Sequence, residues 1–221
     1  MNIGLNIGHY GTTGAVGYLD ESKCAIEIYN KLKPLLEKAG HTVIPCNDAT
    51  PKDYVSATKL ANKHNLDLVI SIHLNSFSDA KSNGTEVLYY KTNAKGKEYA
   101  TALSKAISDA LGTKNRGAVP KTNEIYIIKN TKATCVLLEC LFVSNAEDSK
   151  KYNAEKIAVA VASYFGYKAE LTGVNEIISE LSKHIEIGDK KGLAEELNNN
   201  PSGRLYWICR KTANKLRSVY G

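Results

Sequence analysis

Four side chains of this chain combine the types and positions needed for metal-assisted chemistry: His9, Glu21, His73 and Glu139. The two histidines follow apolar runs that predict strands, Glu21 lies at the head of a predicted helix, and Glu139 interrupts a third apolar run. Two imidazoles and one carboxylate form a ligand set for catalytic zinc, which keeps its fourth position open for water. A second glutamate that is not a ligand is the matching general base. The sequence therefore predicts a zinc site with a catalytic carboxylate beside it.

Each of these residues also has an ordinary structural interpretation. A histidine at a strand end can simply make hydrogen bonds, a glutamate in the first turn of a helix complements the helix dipole, and a glutamate in a sheet can pair with lysine or arginine. Glu21, however, extends the apolar stripe of its helix, where an unpaired carboxylate is costly. The apolar neighbours of Glu139 should raise its pKa, as a general base requires. The two interpretations differ in whether the four side chains meet at one place.

The elements that must position these side chains predict an α/β fold. The stretch 67–76 is apolar on both faces of a predicted strand, which is typical of a sheet covered by helices on both sides. In such sheets ligands collect at the carboxyl ends of strands, where His73 lies. We expect further strands at 3–7, 41–45, 85–90, 124–128 and 135–142, and a turn-rich loop at 115–120. We expect one helix that begins after the N-cap Asp20 and stops at Gly40, a second helix that ends at Gly112, and a third over 147–165 with Asn145 as its cap.

Composition excludes several classes of protein. At 221 residues, with 43% hydrophobic and 24% charged residues, the chain suits a globular protein with one good core and a small appendage. No apolar run approaches the roughly 20 residues of a membrane span, and the first residues predict a strand rather than a secretory signal. We therefore expect synthesis in the cytoplasm and no membrane insertion. The net charge of +6 is modest and unclustered, which argues against nucleic-acid binding and suits weak attraction to an anionic polymer.

Six blocks of sequence occur in a recognisable order: 7–9, 20–22 with 39–41, 71–75, 84–90, 115–117, and 136–139 with 142–145. Together they resemble the zinc-dependent N-acetylmuramoyl-L-alanine amidases of the AmiC-like type, and within them the catalytic halves of clostridial phage endolysins. The resemblance covers about residues 1–168. It implies a twisted, mostly parallel sheet flanked by helices, zinc (Zn²⁺) held by His9, Glu21 and His73, and Glu139 as the catalytic glutamate. The stretch from His9 to Glu21 is rather short, which leaves the shape of the substrate groove on that side open.

The resemblance also implies a substrate, the amide bond between N-acetylmuramic acid and the L-alanine of the peptidoglycan stem peptide. Asn75 could orient this substrate, although an asparagine at a strand end is also a common turn former. Glu86 and Arg116 match family positions and are candidate substrate residues without a derived role. A zinc peptidase that cuts within the stem and a non-enzymatic peptidoglycan-binding module are the alternatives. A phage or prophage lysin and a host autolysin differ mainly in export. The lack of a signal pattern favours the lysin, released through a holin-type membrane lesion, and the sequence does not decide between phage and host origin.

Residues 169–221 differ in character from the rest of the chain. Their pattern predicts two or three short amphipathic helices, and they hold the single tryptophan, Trp207, close to Arg204, Tyr206 and Arg210. These aromatic and cationic groups could meet sugars and anionic wall polymers. Because some fifty residues make a marginal core, the same helices could instead form a homodimer contact or support the catalytic domain. We therefore expect a catalytic domain over 1–168 and a small helical segment over 169–221, for wall targeting or oligomerisation.

Overall fold

The computed structural model describes residues 1–11, 14–47, 53–169, 173–185, 187–201 and 203–220. These residues form two units, Met1–Tyr167 and Lys168–Gly221. None of the helices described is long and apolar enough to span a membrane.

A six-stranded sheet organises the first unit. Its strands are β1 (Asn2–Ile7), β2 (Thr42–Pro45), β3 (Leu68–Asn75), β4 (Thr85–Tyr90), β5 (Asn115–Lys121) and β6 (Thr134–Phe142), in the spatial order β2-β1-β3-β6-β4-β5. Every neighbouring pair is parallel except β4 with β6. The expected mostly parallel α/β sheet is therefore confirmed, and β3 and β6 lie at its centre.

Helices cover both faces of this sheet. They are α1 (Glu21–Lys38), α2 (Asp53–Ala61), α3 (Ala94–Leu111), α4 (Tyr126–Asn130), α5 (Ala146–Lys150) and α6 (Ala154–Tyr164). Successive side chains of a strand point to opposite faces, so Ile70 joins an apolar cluster with α1, α3 and α6. Its neighbour Val69 joins a second cluster with α2 and α4. This arrangement explains why the central strand is apolar without alternation.

Two helix ends carry the capping residues that the sequence predicts. The Asp20 side chain accepts a hydrogen bond from the backbone N–H of Lys23 at the start of α1 (3.2 Å). Gly112 ends α3 with a φ of 67°, in the left-handed region that favours glycine. The cap at Asp20 has a functional consequence, because it fixes the start of α1 directly before Glu21.

Three expectations about secondary structure were wrong. The stretch 115–120 is a strand rather than a loop, because it pairs with β4 at the edge of the sheet, where Pro120 is tolerated. Residues 124–128 form a turn and the start of α4 instead of a strand. The helix expected over 147–165 is divided into α5 and α6, since the buried Asp148 accepts N–H bonds from Gly84 (2.7 Å) and Phe142 (3.1 Å) and ties α5 to the sheet. Asn153 then caps α6 separately.

The second unit is all helical, as expected. It contains α7 (Val174–Leu181), α8 (Lys190–Asn199) and α9 (Arg204–Tyr220). Its small core consists of buried Ile177, Leu181 and Ala213, against which Tyr206, Cys209 and other partly buried side chains pack. Trp207 is not part of this core, since 58% of its surface is exposed.

Candidate active site

His9 and His73 meet at the carboxyl edge of the sheet. Because β1 and β3 are parallel neighbours, with Ile7 opposite Ile72, the histidines that follow these positions lie at the same edge. Their ring centroids are 5.1 Å apart and their planes are nearly perpendicular. Gly8 is essential to this approach, because a Cβ atom there would lie 2.4–2.5 Å from the His73 ring. This role of Gly8 is not evident from the sequence.

The backbone of His9 adopts an unusual conformation. Its φ of 57° is the one positive value of a non-glycine residue in the described part of the chain. Left-handed backbone is uncommon for such residues and is often found at functional sites, where the surrounding structure maintains it. The Ser22 hydroxyl donates a hydrogen bond to the His9 carbonyl oxygen (3.1 Å) and so fixes this turn against α1.

Glu21, the first residue of α1, lies between the two histidines. Only 4% of its surface is exposed. Its Oε1 lies 3.1 Å from His73 Nδ1 and accepts the N–H of Leu74 (3.2 Å), while its Oε2 lies 3.5 Å from His9 Nε2 and accepts the N–H of Ala15 (2.9 Å). Burial by itself raises the pKa of Glu21, but His73, the Ala15 N–H and His9 outweigh it and hold this pKa below its ordinary value. Glu21 is therefore a carboxylate with two imidazole partners, not only a helix-dipole residue.

His9, Glu21 and His73 form a candidate metal site, which we call the metal trio. One potential ligand atom from each side chain lies within 4.8 Å of the others. Two imidazole nitrogens and one carboxylate oxygen are a donor set that zinc accepts, with room for a water ligand. The chemistry of the donors thus fits a catalytic metal ion, as the sequence predicts.

Glu139 lies beside the metal trio on the central strand β6. It is opposite His73 on β3 and opposite Glu86 on β4. The side chain opens partly to solvent, but its Oε2 is buried and has no hydrogen-bond partner among the described residues. Burial is the main reason why the pKa of Glu139 is raised to about 8; His73 opposes this effect, and Glu21 and Glu86 add to it. The alternative of a salt bridge to lysine or arginine is not found in the described structure, whereas the raised pKa agrees with the expected general base.

The metal trio and Glu139 open into one cleft of about 540 Å³. Asn75 also lines this cleft, as a substrate-orienting residue would. Another part of its wall consists of Tyr54, Tyr126 and Glu124. These three residues are not predicted from the sequence, because nothing in their local pattern connects the start of α2 with the turn before α4.

Asn75, Glu86 and Arg116 form a hydrogen-bonded chain. Arg116 Nε donates to Glu86 Oε2 (2.5 Å), and Asn75 Nδ2 donates to Glu86 Oε1 (3.0 Å). The Asn75 Oδ1 accepts a hydrogen bond from the backbone N–H of Ser76 (2.8 Å). Both the nitrogen and the oxygen of the Asn75 side-chain amide are therefore hydrogen-bonded. Of the three residues, Asn75 is the one found among the described residues that line the cleft. The structure thus brings these residues together, with Glu86 and Arg116 placed to hold Asn75.

The fold and the site together define an α/β domain with a candidate metal centre and a carboxylate at the carboxyl edge of its sheet. Comparison with known proteins identifies the family of this domain. Residues 3–166 match the model of the family described as N-acetylmuramoyl-L-alanine amidase. The chain belongs to this family.

Individual relatives agree with the family match. A solved structure described as the catalytic domain of the CD27L endolysin targeting Clostridia difficile is 34% identical, with a TM-score of 0.64, and the match covers 74% of this chain and 95% of that one. An uncharacterized protein of Clostridium perfringens is 31% identical over 69% of this chain and 47% of its own length. The N-acetylmuramoyl-L-alanine amidase LytC of Bacillus subtilis is 31% identical over 63% of this chain and 28% of its own length. The matched regions thus span about half or less of these two curated relatives.

Proposed function

We propose that the chain is a zinc-dependent N-acetylmuramoyl-L-alanine amidase, which cleaves the amide bond between N-acetylmuramic acid and the L-alanine of the stem peptide. The observation that carries this proposal is the position of Glu139, whose half-buried side chain lines the same cleft as the metal trio. Membership of the amidase family supports the choice of bond and of peptidoglycan as the substrate. Retention of the metal trio together with Glu139 argues against a non-enzymatic wall-binding module.

The residues of the site divide the chemistry between them. His9, Glu21 and His73 would hold the zinc ion. Zinc, when bound, supplies a water of lowered pKa and polarises the carbonyl of the scissile amide. Glu139 takes a proton from the attacking water and then delivers it to the leaving L-alanine nitrogen. A cation held by the metal trio would favour the ionised form of Glu139 and so lower its raised pKa.

A peptidase that cuts within the stem peptide is the competing enzyme, because the same site could activate water against any accessible amide. Mass spectrometry of the products from purified peptidoglycan separates the two activities. The amidase releases an intact stem peptide with a free L-alanine amine and leaves the muramic acid without a peptide. Shortened stems that remain attached to muramic acid would instead identify a peptidase and refute the amidase proposal.

We further propose that the protein acts as an endolysin. The 34% identity to an endolysin catalytic domain supports this proposal. In this role the protein is made in the cytoplasm and reaches the wall through a lesion formed by a holin-type partner. Induction in bacterial cells tests the route: lysis should require co-expression of a holin, and lysis at the same rate without the holin would contradict it.

The second unit supports a targeting role through the distribution of its charges. Residues 169–221 contain eight lysines or arginines and seven aspartates or glutamates, so the net charge of this segment is close to zero. The charges are nevertheless separated, because α9 carries five cationic residues and no acidic one. Lys211 Nζ lies 4.6 Å from the ring centre of the exposed Trp207. A helix with cations and an exposed aromatic ring suits contact with an anionic wall polymer, and a second wall contact would raise the local concentration of the enzyme.

Dimerisation is the alternative role for α9. Leu205, Ile208 and Val219 are exposed apolar side chains on this helix, and such a surface could contact a second copy. Size-exclusion chromatography with light scattering distinguishes the two roles. A monomer that binds purified walls supports targeting, whereas a stable dimer that dissociates when Ile208 is replaced by Asp supports the dimer contact.

A further inference from the structure

Tyr54 and Tyr126 form an aromatic surface in the part of the cleft that hydrolysis does not use. Tyr54 lies in the first turn of α2 and Tyr126 is the first residue of α4. Their ring centroids are 5.5 Å apart, at an interplanar angle of 64°. The side chains remain 45% and 41% exposed although they line the cleft of the metal trio. Exposed aromatic rings in a cleft are common ligand contacts, because they offer a large surface with little conformational entropy to lose.

The two helices hold these rings in a fixed relation. Apolar side chains of α2 and α4, among them Ala57 and Ile127, pack in the same buried cluster. Asn62, directly after α2, donates from Nδ2 to the Asn130 carbonyl (2.9 Å) and accepts the Lys132 N–H at Oδ1 (2.8 Å). The tyrosine pair is therefore organised before any ligand binds, which reduces the ordering cost of binding.

Glu124 adds a fixed negative charge to the same wall. Its Oε2 accepts the backbone N–H (2.6 Å) and the hydroxyl (3.0 Å) of Thr122. Hydrogen bonds from its own backbone N–H and from Thr122 lower the pKa of Glu124, so the side chain is ionised at neutral pH. Among the described residues, no lysine or arginine lies within salt-bridge distance of it. Lys121 acts on it only through a weaker electrostatic interaction. The carboxylate is thus oriented by Thr122 and has no salt bridge to a lysine or arginine in the described part of the chain.

Two tyrosine rings and a carboxylate are the chemistry that binds an ammonium group, through cation–π attraction and a charge-assisted hydrogen bond. We propose that Tyr54, Tyr126 and Glu124 form a subsite for the side-chain amine of the diamino acid in the stem peptide. This inference rests on the proposed amidase function, which brings the stem peptide into the cleft. A cross-link converts this amine to an amide on the acceptor stem and leaves it free on the donor stem, so the subsite disfavours acceptor stems.

Two soluble muramyl peptides that differ only in this amine, free in one and acetylated in the other, test the subsite. The zinc-loaded full chain should show a kcat/KM about 5-fold higher for the free amine, because a solvent-accessible ion pair contributes up to about 1 kcal/mol. Glu124→Gln should reduce this preference to less than about 2-fold, and Tyr126→Leu should reduce it in the same direction. The change should appear in KM, since the contact lies away from the scissile bond and is equally strong in the ground and transition states.

A matched control is Glu98→Gln, which removes an exposed glutamate of α3 that pairs with Lys95 (3.0 Å); it should leave the preference unchanged. Binding of both peptides to zinc-loaded Glu139→Gln measures the same preference without turnover. This readout separates failure of the subsite from failure of the amidase proposal. Equal affinity for the two peptides, or an equal loss for both in Glu124→Gln, would overturn the subsite and indicate that this wall contacts the sugar or another part of the substrate.

Discussion

Replacing Glu139 by Gln should stabilise the metal-free protein, and more so as the pH rises. The folded-state pKa of Glu139 is about 8, against an ordinary value of 4.5. Between these values the folded state holds a proton that the unfolded state has released, so wild-type stability falls as pH increases. The variant should show no such loss, since the amide that replaces the carboxyl group is neutral throughout this range.

The size of the effect follows from the pKa. From pH 4.5 to pH 7, Glu139 lowers the free energy of unfolding of the wild type by about 1.4 kcal/mol per pH unit. The total loss is roughly 3 kcal/mol at pH 7. This figure is an upper limit, because the Glu139 side chain is only half-buried and solvent screens part of its charge. We therefore expect the variant to gain about 1–3 kcal/mol over the wild type between pH 5 and pH 7.

Urea unfolding in the presence of a chelator at pH 5, 6, 7 and 8 measures this difference. Far-UV circular dichroism is the appropriate signal, because it follows the sheet and helices around Glu139, whereas the single tryptophan, Trp207, lies in the second unit. Added zinc should reduce the difference, since a cation stabilises the charged carboxylate. Glu98→Gln, an exposed charge removal on α3, should show no pH trend relative to the wild type. A stability difference for Glu139→Gln that does not change with pH would refute the reasoning.

Two other predictions concern the metal trio and the second unit. His73→Ala should lose bound zinc and turnover together, as measured by metal analysis and product release. The control His64→Ala replaces an exposed histidine outside the trio and should keep both. Full activity in a metal-free preparation would contradict the zinc requirement. A chain that ends near Lys168 should keep zinc and activity on soluble muropeptides but sediment poorly with intact walls and lyse cells more slowly. Aggregation or unfolding of the shortened chain would show that the helices support the catalytic domain, and the targeting role would be dropped.

The sequence predicted those parts of the site that lie on strongly patterned elements. His9 and His73 follow apolar runs whose strands proved to be parallel neighbours, and Glu21 was identified because it extends the apolar face of α1. Local pattern did not reveal β5, whose residues become a strand only by pairing with β4 at the sheet edge.

The wall of the cleft was missed for a related reason. Tyr54 and Tyr126 are 72 positions apart, and only the packing of α2 against α4 brings their rings together. The need for glycine at position 8 was likewise not predictable from the sequence, since it depends on how closely the His73 ring approaches the Gly8 backbone. Contacts of this kind depend on tertiary structure and leave no periodic signal.

Zinc content and turnover of Glu139→Gln, measured on the same preparation, test most directly the division of roles between the metal trio and Glu139. We predict that this variant retains one zinc ion and loses turnover by about 10²–10⁴-fold, because Gln keeps the shape of the side chain but cannot accept a proton. Glu21→Gln, the matched variant within the trio, should lose zinc. Loss of zinc from Glu139→Gln, or retention of its full turnover, would contradict the assignment of Glu139 as the catalytic base.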